Sequence, residues 1–152
     1  MGSRSRVALS AILLGGIVAG TIDIGAACLI NGHDVVFILQ TIAGGLLGRR
    51  SHSGGVPTAL LGLALQELMG ILIAAIWAMA AATLPFLRRR WLAGGLAYGV
   101  VIFFVMNYVV VPLSAWKHHP HFSAYSFAAN MTAMLLFGLI VAWFASRQSE
   151  RA

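Results

Sequence analysis

The chain has 152 residues, of which 60% are hydrophobic and 9% charged, and its mean hydropathy is +0.90. A soluble domain carries about 25% charged residues, so the composition excludes a water-soluble globule, a disordered chain and a soluble nucleic-acid-binding domain. The net charge of +6 does not indicate a polyanion partner, because the basic residues lie at the ends of apolar runs, where membrane proteins carry them. The single Cys28 excludes an internal disulfide. We therefore expect the lipid bilayer to surround most of the chain.

Four long apolar runs predict transmembrane helices at about residues 7–30, 56–82, 91–113 and 123–145. A helix of about 20 residues crosses the hydrocarbon core. The second run continues to Leu87, but Pro85 interrupts its backbone hydrogen bonding. Strands are not expected, because the runs lack the alternation of a transmembrane barrel. The sequence thus predicts an all-α, four-transmembrane-helix bundle that forms one integral membrane domain over residues 1–152.

A fifth apolar stretch, residues 35–47, lies between the first two spans. As a helix it reaches only about 20 Å, which is too short to cross the bilayer. Asn31 and Gly32 indicate a turn before it, and Asp34 is a candidate N-cap. We predict a short helix that is either interfacial or re-entrant.

The distribution of basic residues predicts the orientation, because cytoplasmic loops of membrane proteins are rich in Lys and Arg. With the N-terminus inside, the cytoplasmic side carries Arg4, Arg6, Arg88, Arg89, Arg90, Arg147 and Arg151, and the outer side carries Arg49, Arg50 and Lys117. This favours a multi-pass protein of the bacterial inner membrane with both termini in the cytoplasm. The first run also resembles a signal peptide, but Asp23 inside it favours a retained helix.

Five polar side chains lie inside the predicted spans, and the helical rise places all of them in the outer half of the bilayer. They are Asp23, Gln66, Glu67, Asn107 and Asn130. Small residues recur every four positions close to them, a spacing typical of helix contacts. These stripes are Gly16 and Gly20, then Gly62, Gln66 and Gly70, and then Gly95 and Gly99. We therefore expect the polar groups to face other helices.

Two interpretations of this polar cluster remain open. In the first, the five side chains hydrogen-bond one another and fix the pairing of the helices. In the second, they line an outward-facing pocket for a proton, a cation or a polar ligand. Asp23 and Glu67 are then the central groups, and the sequence does not say whether they meet.

The five histidines all fall on the predicted outer side. His118, His119 and His121 form the densest group, and imidazole is a ligand for zinc and copper. Their spacing is poor for one site, so solvated interfacial histidines are the competing interpretation. These three residues are weak metal candidates, and no cofactor is otherwise expected.

Known catalytic motifs are absent from the sequence: it has no phosphate-binding glycine loop, Cys-x-x-Cys, Gly-x-Ser-x-Gly or His-Glu-x-x-His. The aromatic residues with a polar tip fit mostly as interfacial belts, which we expect to include Trp77, Trp91, Trp116, Trp143, Tyr98, Tyr108 and Tyr125. We expect a non-enzymatic membrane protein that works by packing, with itself or in a larger membrane complex. A small proton- or cation-linked transporter or channel is the alternative, and an outer-face metal-binding protein is a weaker one.

Several segments resemble a family of small four-helix bacterial inner-membrane proteins of unassigned function. They are AGTID (19–23), LQTIAGGLLG (39–48), ALLGLALQ (59–66), LP (84–85) and MNYVVVPLS (106–114). Relatives often carry a His at the position of Gln66 and another near Asn130, and this chain has neither. The resemblance implies four helices and a membrane location, and it implies no particular activity.

Overall fold

The computed structural model describes the backbone of residues 3–117 and 122–149 and the side chains of 8–117 and 122–147. Within these ranges 91% of the residues are helical and none is in a strand. Four helices are long and apolar enough to cross a membrane, at Ala8–Asn31, Gly55–Thr83, Trp91–Leu113 and Ala124–Arg147. The prediction of an all-α bundle with four candidate spans is confirmed.

The elements follow one another in the order that the apolar runs indicate. In chain order they are α1 (Ser3–Asn31), α2 (Val35–Leu47), a 3₁₀ helix (Gly48–Ser53), α3 (Gly55–Thr83), α4 (Pro85–Arg89), α5 (Trp91–Val105), a π turn (Met106–Val110), α6 (Val111–Leu113) and α7 (Ala124–Ser149). The third span is therefore α5, the π turn and α6 taken together.

The short helix α2 has the bounds that the sequence predicts. Its N-cap is Asp34, whose Oδ1 accepts a hydrogen bond of 2.8 Å from the backbone N–H of Phe37. Such a cap satisfies one of the free N–H groups of the first turn. The helix ends at Gly48, whose φ of 63° lies in the left-handed region that favours glycine. Both ends are thus fixed by local chemistry.

Two prolines shape the longer helices. Leu84 leaves the helical conformation (φ −118°, ψ 89°) immediately before Pro85, as residues before proline usually do, and this separates α3 from α4. Pro112 has no N–H and crowds the carbonyl four residues earlier. The π turn directly precedes it, and the N–H of Val111 bonds to the carbonyl of Met106, five residues back. The wider turn accommodates the proline without ending the span.

Glycines set the helix pairing by letting backbones approach closely. A Cβ on Gly16 would lie 2.6 Å from the Cα of Ile71, and one on Gly70 would lie 2.6 Å from the carbonyl oxygen of Gly16. These two positions form the crossing of α1 and α3. The glycine stripe of α5 meets Gly138 in the same way, at the crossing of α5 and α7. The structure confirms that the small-residue stripes lie at helix contacts.

The bundle has the lateral order α2, α3, α1, α7, α5. Its central core lies between α1, α3, α5 and α7 and contains Ala19, Ile73, Ala74, Trp77, Ile102, Phe137, Val141 and Ala142. A second apolar cluster, Ile24, Leu39 and Ala59, joins α1, α2 and α3. Trp77 is only 3% exposed, and the hydroxyl of Tyr98 donates a 2.8 Å bond to the carbonyl of Ile73. The assignment of Trp77 and Tyr98 to an interfacial belt was therefore wrong, because both rings pack inside the bundle.

Candidate functional site

A hydrogen-bonded pair of polar side chains joins α1 and α3. Gln66 Nε2 donates a bond of 2.9 Å to Asp23 Oδ2, and both side chains are half-buried. Ala19, one turn before Asp23, belongs to the central core, whereas Ile24, the next residue, belongs to the second cluster. The pair therefore lies at the boundary between the two apolar clusters. A half-buried carboxylate that accepts a bond from a neighbouring helix fixes the register of the two helices.

Glu67 lies beside this pair on α3 but bonds to a different part of α1. Thr21 Oγ1 donates a bond of 3.3 Å to Glu67 Oε1. The second oxygen, Oε2, is buried and has no hydrogen-bond partner among the described residues. A Cβ on Gly20 would lie 3.3 Å from Oε2, so this glycine makes room for the carboxylate. An acceptor without a donor in an apolar surrounding is a place for a proton, a cation or a water.

Asn107 and Asn130 are bonded within their own helices. Asn107 Nδ2 donates 2.9 Å to the carbonyl of Phe103, and Asn130 Nδ2 donates 2.7 Å to the carbonyl of Ser126. The structure thus brings Asp23, Gln66 and Glu67 together at the contact of α1 and α3. The bonds seen for the two asparagines do not extend to that contact. A common ligand site for the five residues stays a prediction.

The two spans that carry Asp23 and Glu67 supply no positive charge to balance these acids. The spans Ala8–Asn31 and Gly55–Thr83 contain no Lys or Arg. The donors that reach the carboxylates are a neutral amide and a neutral hydroxyl. Groups of three or more His, Cys, Asp or Glu that are able to hold a metal ion are absent from the described part of the chain. The metal candidates His118, His119 and His121 lie outside the described residues.

A second polar layer, which sequence reasoning missed, lies between α2 and the start of α3. Gln40 is 8% exposed and its Nε2 donates a 3.0 Å bond to the carbonyl of Gly55. Ser51 is fully buried, and its Oγ has no partner in the described structure. Thr58 Oγ1 donates 2.8 Å to the Ser51 carbonyl. The signal in the sequence was Gln40 itself, one glutamine in an apolar run.

The segment after α6 folds back on α2. The N–H of Ala115 donates 2.8 Å to the carbonyl of Gly45, and Trp116 Nε1 donates 3.0 Å to the carbonyl of Thr41. The Trp116 ring covers Gly44, where a Cβ would collide with it. Trp116 also contacts His52, whose ring stacks on Phe37 at 4.6 Å. His52 is thus packed between aromatic rings, and its Nδ1 is buried without a partner among the described residues.

Comparison of the chain with protein-family models, with curated proteins and with solved structures finds no match. The class of the protein therefore follows from its own structure. Four apolar helices of 23 to 29 residues define a multi-pass α-helical membrane protein. Most of the polar side chains described above form hydrogen bonds either to a neighbouring helix or to a carbonyl of their own helix.

Proposed function

We propose that the protein is a non-enzymatic packing subunit of the bacterial inner membrane, with both termini in the cytoplasm. The observation that carries this proposal is the use of the intramembrane polar side chains. Gln66 bonds Asp23, Thr21 bonds Glu67, and Tyr98 bonds the carbonyl of Ile73. Each bond joins two helices, so these groups hold a bundle together, as expected of a protein that works as a preformed packing unit.

The surface that we assign to a partner helix lies on α7. Ala124, Ala128 and Thr132 follow one another at a spacing of four and all three are exposed. Thr132 Oγ1 bonds the carbonyl of Ala128 at 2.8 Å, so its polar group is satisfied within its own helix. The glycine stripes are covered inside the bundle, whereas this stripe is open. A stripe of small residues lets a neighbouring helix approach closely, and the partner is a second copy or a larger membrane complex.

The test is the assembly state after a bulky substitution in this stripe. Ala128→Leu should weaken association by about tenfold, which corresponds to about 1.4 kcal/mol, because the larger side chain prevents the close packing of the two helices. Single-molecule photobleaching in lipid nanodiscs measures self-association, and native electrophoresis of membranes measures a larger complex. Ala64→Leu is the matched control, since Ala64 is also exposed but lies on α3.

An unchanged assembly state for Ala128→Leu would contradict the α7 surface. A gene deletion that leaves every membrane complex unchanged in mass, together with a monomeric purified protein, would contradict the packing role as a whole.

The second candidate function is a small proton- or cation-linked transporter or channel. The observation that favours it is Glu67 Oε2, a buried carboxylate oxygen without a donor. Intramembrane acids commonly mark proton and cation pathways. In this function Glu67 exchanges the proton or cation, and the Asp23–Gln66 pair beside it supplies the neighbouring charge.

Flux into proteoliposomes tests this alternative. Glu67→Gln keeps the shape and one acceptor oxygen but removes the titrating group, and it should lower proton or sodium flux to the level of empty vesicles. Thr83→Ala is the control, because Thr83 is exposed at the end of α3, outside the α7 surface, and bonds carbonyls of its own helix. Undiminished flux in Glu67→Gln, or no flux with the wild-type chain, would remove Glu67 from any transport role.

A further inference from the structure

An apolar groove lies on the outside of the bundle where α1, α5 and α7 meet. Its volume is about 540 Å³, and it is lined by Val18 of α1, by Trp91 and Leu92 at the start of α5, and by side chains of α7. The α7 residues include Leu139 and Trp143. The groove therefore runs along the half of the bundle that contains the start of α5 and the end of α7.

Arginines border the end of this groove. The guanidinium of Arg147 lies over the ring of Trp143, 5.3 Å from its centroid. Arg90 is the residue immediately before Trp91, and Arg88 and Arg89 complete the triplet at the end of α4. The helix α4 also contacts α7, so the triplet and Arg147 belong to the same end of the bundle.

The segments that carry these arginines contain no acidic residue before Glu150, which lies outside the described residues. Residues 85–113 and 124–149 contain neither Asp nor Glu. Arg89, Arg90 and Arg147 are exposed. The groove thus combines an apolar floor with a cationic rim, and its two tryptophans lie where the apolar spans end. Tryptophan prefers this level of a bilayer, between the acyl chains and the headgroups.

We propose that this groove binds an anionic phospholipid. An acyl chain occupies the groove between Val18, Leu92 and Leu139, and the phosphate group lies at the rim with Arg90 and Arg147. Guanidinium groups bind phosphate oxygens through charge-assisted, bidentate hydrogen bonds. Basic pockets between transmembrane helices are a known way of selecting anionic headgroups.

The apolar floor and the cationic rim of the groove together favour a lipid over other anionic partners. A soluble phosphate or an acidic peptide satisfies the arginines but leaves the apolar floor uncovered. A zwitterionic lipid fills the floor but carries a cationic group toward a cationic rim. An anionic phospholipid matches both parts, because its acyl chain and its net negative charge are in one molecule. The inference does not depend on the proposed packing function.

Tryptophan fluorescence is a direct probe, because Trp91 and Trp143 line the groove. The full chain, in a Trp116→Phe background that removes the tryptophan near α2, is placed in phosphatidylcholine vesicles. Trp77 remains, but its ring is buried inside the bundle and out of contact with lipid. A small fraction of the lipid is brominated phosphatidylglycerol or brominated phosphatidylcholine, and bromine quenches a ring that its acyl chain touches. We expect a relative binding constant for phosphatidylglycerol that exceeds that for phosphatidylcholine by at least about tenfold.

Arg90→Gln with Arg147→Gln should bring this ratio close to one. Arg49→Gln with Arg50→Gln is the matched control, because these two arginines are exposed in the 3₁₀ helix after α2, away from the groove. The control should keep the full preference. Val18→Phe, which fills the groove without a change of charge, should lower the quenching by both lipids.

Three results would overturn the proposal. They are equal quenching by the two brominated lipids with the wild-type arginines, a preference that survives the loss of Arg90 and Arg147, and a preference that the control pair removes equally. The last result indicates a general charge effect instead of a site. Native mass spectrometry of the purified protein is the second measurement, and a retained phosphatidylglycerol that Arg90→Gln with Arg147→Gln fails to reduce contradicts the site independently.

Discussion

Gly138→Ala should destabilise the bundle by about 3 kcal/mol, the upper part of the usual range for overpacking. A Cβ at this position would lie 2.7 Å from the backbone nitrogen of Gly99 and 2.9 Å from its Cα. Both obstacles are backbone atoms of α5, so no change of side-chain rotamer relieves the contact. The free energy of unfolding, measured by titration with a denaturing detergent, is the readout.

Gly25→Ala is the matched control for this experiment. Gly25 is also inside a helix, but a Cβ there meets nothing within 4 Å. Alanine is a better helix former than glycine by about 1 kcal/mol, so this variant should be as stable as the wild type or more so. Equal unfolding free energies for Gly138→Ala and the wild type would show that α5 and α7 do not cross as closely as described.

The Asp23–Gln66 pair should show a measurable coupling in a double-mutant cycle. Asp23→Leu and Gln66→Leu each leave one partner without its hydrogen bond, which costs about 1 to 3 kcal/mol for a buried group. The double variant removes both partners, so its free energy of unfolding should be only slightly below that of the less stable single variant. We expect a coupling energy of about 1 kcal/mol, within the range for hydrogen bonds between membrane helices.

The two asparagines supply the control cycle. Asn107 and Asn130 bond carbonyls of their own helices, so Asn107→Leu and Asn130→Leu should be additive within about 0.5 kcal/mol. A strong coupling between the asparagines, or none between Asp23 and Gln66, would favour a different arrangement of the polar groups. The comparison separates a local pair from a network that extends across the bundle.

Much of the fold follows from the length and spacing of the apolar residues. The bounds of α2 could be predicted because its cap, Asp34, acts within one turn and its apolar stretch ends at Leu47. The glycine stripes predicted helix contacts correctly, since only small residues permit such close backbones. Similarly, Pro85 ended the second span where the missing N–H requires it.

The pairing of the helices could not be predicted in the same way. A stripe shows that a helix has a partner but does not name it, and Gly95 and Gly99 meet Gly138 on α7. The face on which Asn107 lies does not follow from regular helix geometry either, because the π turn that contains it changes the angular position of the side chains. The burial of Trp77 depends on which helices cover it. These features require the tertiary structure.

The contacts of α2 have a consequence for the biosynthesis of the protein. Trp116 bonds the carbonyl of Thr41 across 75 positions of sequence. During translation from the N-terminus, α2 emerges from the ribosome well before this tryptophan exists. The helix α2 therefore lacks its contacts with Trp116 until the third span has been synthesised. The docking of α2 is therefore completed late in synthesis, and Trp116→Ala, which removes this late contact from the complete protein, should leave Cys28, beside α2, more reactive to thiol reagents than it is in the wild type.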